Sequence, residues 1–163
     1  MKRFVRAIFF FATLLLSLVA AVAADHQTCT DAVVVGAWGY TLTGTLITPS
    51  GAVPFATVGT AVFDVDGNIS GTQTGSVGGQ ISQDTLTGIV DPVNPDCTAT
   101  FSVDIYNQSG QLLRTVRWAG VFDDNGSEFR GILTSMVLPN GTSVPTIITM
   151  NSKKLFPPPG HPR

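Results

Sequence analysis

Residues 116–150 read VRWAGVFDDNGSEFRGILTSMVLPNGTSVPTIITM, and the two Asn-Gly pairs in this stretch decide how the chain folds. Asn-Gly is a favoured two-residue hairpin loop, and side chains alternate between the two faces of a strand. With Asn125-Gly126 as such a loop, Phe122 faces Phe129 and Trp118 faces Leu133. One face then gathers Val116, Trp118, Phe122, Phe129, Leu133 and Val137, while Arg117, Asp123, Glu128 and Arg130 share the other. Treating Asn140-Gly141 in the same way adds Val144, Ile148 and Met150 to the apolar face. Ser109-Gly110 likewise adds Leu112, Phe101, Val103 and Ile105. A one-residue slip would turn each set outward, so the agreement of four consecutive strands is evidence for all their registers.

Outward from this core the pattern repeats. No stretch sustains a helical period; β-rich runs alternate with turn residues throughout. Eight strands are expected, at roughly 34–47, 54–64, 68–77, 80–90, 97–107, 111–123, 127–138 and 142–151. On the first, Trp38, Tyr40, Leu42 and Leu46 extend the apolar stripe. The fold class is therefore all-β, a single eight-stranded antiparallel up-and-down barrel, with a two-sheet sandwich as the alternative. An outer-membrane barrel would want aromatic girdles, yet the chain has two Tyr and two Trp. It would also put the Arg/Asp/Glu face in lipid.

The ends fix the expected compartment. Lys2, Arg3 and Arg6 precede an apolar run from Ala7 to Leu18 and small residues at Ala21, Ala23 and Ala24. That order predicts a signal peptide over 1–24, a barrel domain over 25–153 and a Pro-rich tail over 154–163. The mature protein is then secreted, extracellular or periplasmic, with no integral membrane association. Removing the leader takes three of nine basic residues and leaves six against eleven acidic ones. A nucleic-acid or anionic-membrane partner needs a basic footprint and is not expected. Cys29 and Cys97, an even pair in an exported chain, are expected to form one disulfide.

The stretches GAWGYTLTGTL, PFATVGTAVFDVDGNISG and VNPDCTATF resemble an uncharacterised family of small secreted bacterial β-barrel proteins. The motifs are P-F-A-x-x-G, F-D-x-x-G-N-x-S-G and V-N-P-D-C-T, and the resemblance covers roughly residues 29 to 107. It implies a secreted barrel and no particular activity. More distantly, the eight-strand meander is similar to the calycin and allene-oxide-cyclase barrels, and Gly36-Ala37-Trp38 is similar to the lipocalin G-x-W. Fold likeness of this kind does not carry function.

Chemistry-bearing motifs are few. Asp64-Val65-Asp66-Gly67-Asn68 resembles the start of a calcium loop, but Ile69 and Gly75 occupy the positions that need Gly and Glu. A three-residue hairpin loop, Val65-Asp66-Gly67, accounts for it, and no metal or cofactor is expected. Asp123-Asp124-Asn125-Gly126 reads as a turn for the same reasons. Sequons at Asn68, Asn107, Asn125 and Asn140 all fall at expected turns. The only histidines, His26 and His161, lie in terminal segments, a poor place for a catalytic base.

The informative irregularity lies on the third and fourth strands. If Gly78-Gly79 is a two-residue loop, Gly71, Gln73 and Gly75 face inward opposite Leu86, Asp84 and Ser82. Arg114 also falls on the apolar face. Ionisable groups turned inward suggest the polar end of a pocket. The expected pocket residues are Trp38, Gln73, Asp84, Arg114 and Trp118, with open space beside Gly71, Gly75 and Gly88. Three functions fit: a binding module for a small, partly apolar ligand, a cofactor-free isomerase or cyclase of the allene-oxide-cyclase type, and a structural or interaction protein with a filled barrel. Association of the chain with itself is compatible with each.

Overall fold

The computed structural model describes residues 28–155. The expected leader, the tail from residue 156 onward, His26 and His161 lie outside the described residues. Eight strands follow in order: β1 (Gly36–Thr48), β2 (Gly51–Phe63), β3 (Asn68–Val77), β4 (Gln80–Val90), β5 (Thr98–Tyr106), β6 (Leu112–Asp123), β7 (Glu128–Val137) and β8 (Thr146–Lys154). Each pairs antiparallel with the next, and β8 pairs with β1 to close the barrel. Closure removes the free edges that a sandwich would keep.

Turn chemistry sets the registers. Gly67, at φ 82°, ends the loop after Asp64 and brings Phe63 opposite Ile69. Gly78 and Gly79 both adopt positive φ, as a type I′ turn requires, and bring Val77 opposite Gln80. Phe122 faces Phe129, Trp118 faces Leu133 and Phe101 faces Trp118, as the sequence predicts.

Four local expectations fail, two of them through an extra residue in a strand. The loop after β6 spans Asp124–Ser127 rather than two residues, yet Asp123 still pairs with Glu128, so the register is unchanged. Further along, the β6–β7 register shifts past Trp118. Thr134 is bulged, its hydroxyl donating to the Arg117 carbonyl (3.0 Å), and Met136 turns inward in place of Val137. A second shift beyond Ile105 turns Leu112 outward, where it is 37% exposed. β8 starts four residues later than expected, at Thr146, and runs on to Lys154; Val144 is only half-buried beside the core.

The core is unequal along the barrel axis. Trp38, Phe63, Phe101, Trp118, Phe122 and Phe129 cluster at one end, the closest pair (Phe122 and Phe129) having centroids 4.9 Å apart. An N-terminal arm covers this end. Val34 is buried there and its carbonyl accepts the Trp38 indole N–H (2.7 Å), while the Asp31 carboxylate accepts the Val93 amide (2.7 Å). The Cys29–Cys97 disulfide ties the arm to the β4–β5 loop across 68 residues. Closing a loop of that length stabilises by about 4 kcal/mol in the chain-entropy account.

Outside, the two halves of the wall differ. The outer positions of β1–β4 carry no charged side chain among the described residues. β5–β8 carry Asp104, Arg117, Asp123, Glu128, Arg130 and Lys153. Arg117 pairs with Asp91 (2.7 Å), Lys153 with Glu128 (2.7 Å) and Arg130 with Asp123. An apolar interior with charges outside is the reverse of a lipid-facing barrel. No helix of the described residues is long and apolar enough to cross a membrane.

Candidate functional site

The end of the lumen away from the aromatic cluster is polar, and the registers explain why. Tyr40 lies opposite Gly59, Gly59 opposite Gln73, and Gln73 opposite Asp84, so one inward-facing rank runs across β1–β4. The next rank is Leu42, Thr57, Gly75 and Ser82. Gly59 is what lets the first rank connect. A Cβ there would fall 2.5 Å from the Tyr40 hydroxyl, so any larger residue would displace the ring.

The Tyr40 hydroxyl donates to Gln73 Oε1 (3.1 Å), and Gln73 Nε2 donates to Asp84 Oδ2 (3.2 Å). The same carboxylate oxygen accepts from Ser82 Oγ (3.4 Å) and from Arg114 Nη2 (3.5 Å). Gln73 and Asp84 are buried, and the Arg114 side chain is 18% exposed. Arg114 reaches Asp84 across a gap in the wall. The β4–β5 ladder starts only at Thr85, so Gln80–Asp84 overhang β5, and the guanidinium from β6 bridges the opening.

Burial pushes the Tyr40 hydroxyl well above its ordinary range, an effect that Arg114 partly opposes and Asp84 reinforces. The phenol therefore stays protonated. Burial also lowers the pKa of the Arg114 guanidinium, and the Asp84 carboxylate works against that. Two oxygens in the cluster, Asp84 Oδ1 and Thr57 Oγ1, are buried without a hydrogen-bond partner. A buried acceptor in that state costs about 1–3 kcal/mol. The cluster is thus a loosely satisfied network, with one carboxylate oxygen taking three donors and the other none.

Beside it the lumen holds a cavity of about 60 Å³, lined almost wholly by apolar side chains. Trp38, Gln73, Arg114 and Trp118 line it, as the sequence predicts. Asp84 does not; it stands behind Gln73 and Arg114 and holds both. Tyr40, which its sequence pattern marks only as core, and Thr57 and Gly59 also belong to the cluster. The signal for Tyr40 was available, because a buried phenol needs a partner and Gln73 lies two strands away in register.

The expected open wall beside β3 and β4 is not there. A Cβ on Gly71 would lie 2.1 Å from the Thr60 carbonyl oxygen, and one on Gly88 would lie 2.2 Å from that of Ser102. These glycines mark close approach of neighbouring backbones rather than space. At Gly75 the nearest atom is Thr57 Oγ1 at 3.2 Å, a snug fit.

The acidic turn is a hairpin tip. Asp64 Oδ1 accepts the amides of Asp66 (2.9 Å) and Asn68 (2.8 Å), and Oδ2 accepts Asn68 Nδ2 (2.9 Å). The bonds from Asn68 lead in holding the Asp64 carboxyl below its usual pKa. Its oxygens are spent on the turn. Asn107 and Asn140 do the same in their own loops, accepting the amides of Ser109 (3.0 Å) and Thr142 (3.0 Å). No protein-family model and no curated protein sequence matches the chain. The functional reading therefore stands on the geometry of the lumen.

Proposed function

We propose that the protein is a secreted binding module whose lumen takes a small, mostly apolar molecule bearing one hydrogen-bond acceptor. The observation that carries this reading is Arg114 on the cavity wall. Its guanidinium has five N–H donors, and its Asp84 contact is a single one at 3.5 Å. Asp84 already balances its charge, so a neutral carbonyl oxygen suits it better than a carboxylate would. The apolar wall supplies the remaining contact. At about 60 Å³ the cavity limits the guest to a few heavy atoms. The expected leader and the disulfide between Cys29 and Cys97 support an extracellular or periplasmic setting.

Cyclopentanone and cyclopentane test this against one another by amide and indole NMR. Saturable shifts at the Gln73 side-chain amide and the Trp118 indole with the ketone, weakened by Arg114→Met, support the reading. No saturable shift with either compound overturns it.

A second reading, a filled barrel acting through its outer surface, has its own observation. The cavity is far below the roughly 300–1,000 Å³ of pockets for drug-sized ligands.

A further inference from the structure

A guest must reach the lumen before it can bind there, and the cavity lining narrows the route to one place. All the lining side chains are buried except Phe63, Ser152 and Arg114. Phe63 stands inside the aromatic cluster, its ring against Trp38 and Phe101. Ser152 is flanked by intact ladders, opposite Tyr40 on β1 and Phe129 on β7. The β7–β8 ladder stops early, at Ile132 and Thr149, but Leu133, Met136 and Ile148 behind it are buried. Arg114 is the one of the three that stands beside a break in the wall.

That break is the seam between β4 and β5. The ladder ends at Thr85 and Tyr106, and the chain then turns away through Asn107, whose amide donates to the Gln111 carbonyl (3.0 Å). On the β4 side, Ser82 has the inward phase and is nevertheless exposed, as are Gln80, Ile81 and Gln83. Two side-chain hydrogen bonds span the opening. Arg114 Nη2 donates to Asp84 Oδ2 (3.5 Å), and Gln108 Nε2 donates to Gln83 Oε1 (3.2 Å).

We propose that this seam is the entrance to the lumen and that Arg114 is its movable gate, an inference that rests on the lumen-binding reading above. Opening breaks no ladder hydrogen bond, because the β4–β5 ladder does not extend past Thr85. The Gln108–Gln83 bond is exposed and exchanges for bonds to water at little cost. A guanidinium swung outward regains the hydration that burial denies it. Against this, the move leaves Asp84 buried without its counter-charge, so the closed form dominates and the open one is transient. The open doorway also bares the Asp84 carboxylate, which repels an anion and lets a neutral molecule pass. On closing, the same guanidinium meets the guest's acceptor.

A gate sets rates and leaves affinity alone, and Gln108 is suited to test it because it is exposed and does not line the cavity. The protein carrying Gln83→Cys and Gln108→Cys, with its two added thiols joined by a short bismaleimide, holds the seam shut. The native cysteines are bonded to each other and do not react. NMR reads two rates: exchange of cyclopentanone, from line broadening at the Trp118 indole, and solvent exchange of the Gln73 side-chain amide, which needs no guest. Joining the thiols is expected to slow both about tenfold or more against the same variant left unjoined, at constant Kd for the ketone. Gln108→Ala is expected to speed both severalfold, and it decides the matter should the double variant fail to fold. Rates unchanged by joining overturn the proposal, as does a slowing matched by an equal change in Kd. If no ketone binds, the lumen-binding reading falls, and the Gln73 amide alone decides the gate: slower on joining supports it, unchanged overturns it.

Discussion

The two halves of this barrel share one architecture and divide its tasks. Strands β5–β8 present Phe101, Trp118, Phe129 and Leu133 to the lumen and charged side chains to water. Strands β2–β4 present Thr57, Gly59, Gln73, Gly75 and Asp84 to the lumen, and their outer positions are uncharged. Apart from Arg114 on β6, which reaches into the lumen, the first half follows the usual rule of apolar inside and polar outside. The second half weakens that rule on both faces. A closed barrel tolerates this because backbone pairing runs the whole way around, so one half can carry the packing while the other carries polar groups.

The comparison predicts unequal responses to substitution. Phe101→Ala in the packed half should cost about 3–5 kcal/mol in denaturant unfolding, the range for emptying an aromatic site in a core. In the thin half, Gly75→Leu should cost about 1–3 kcal/mol, because the niche over Gly75 is bounded by Thr57 Oγ1 and Ser82 Oγ. Gly75→Ala should cost less than about 1 kcal/mol, since its Cβ meets the Thr57 hydroxyl at 3.2 Å and that group can rotate. Equal losses for Leu and Ala would point to backbone strain instead of filled space.

The smallest effect concerns alkaline pH. Folding raises the Tyr40 pKa, so the folded chain holds that proton more tightly than the unfolded one. Stability is then full below about pH 10, the ordinary tyrosine value, and declines as pH rises above it. Tyr40→Phe should flatten that decline while giving up about 1 kcal/mol at neutral pH for the lost bond to Gln73. Urea melts of both proteins at pH 8 and near pH 11 check it; parallel curves would mean that Tyr40 ionises as freely as in the open chain.

Much of this was legible in the sequence, and the limits have physical causes. Turn glycines at 67, 78 and 79 impose positive φ, so the registers joining β2, β3 and β4 could be read from their turns alone. The bulge at Thr134 could not be read that way. Thr and Ser occupy either face of a strand, and nothing local says which residue is extra. For the site, inward phase found Gln73, Asp84 and Arg114, because phase depends only on register. Volume was beyond such reasoning. Whether a glycine opens space or admits a neighbouring backbone depends on how closely the strands cross, and at Gly71 and Gly88 the backbone takes the room.

The central claim is that the polar cluster serves binding and does not hold the barrel together. Replacing all its members at once tests this most directly, since a buried polar network exchanged for apolar groups of similar shape is often neutral or stabilising. The variant is Tyr40→Phe, Gln73→Leu, Asp84→Leu and Arg114→Met, and the measurement is its melting temperature beside that of the native chain. The account predicts a melting temperature equal or higher, because the unpartnered Asp84 oxygen and the desolvated guanidinium are removed together. A fall of several degrees would contradict it and make the cluster a structural element of a filled barrel.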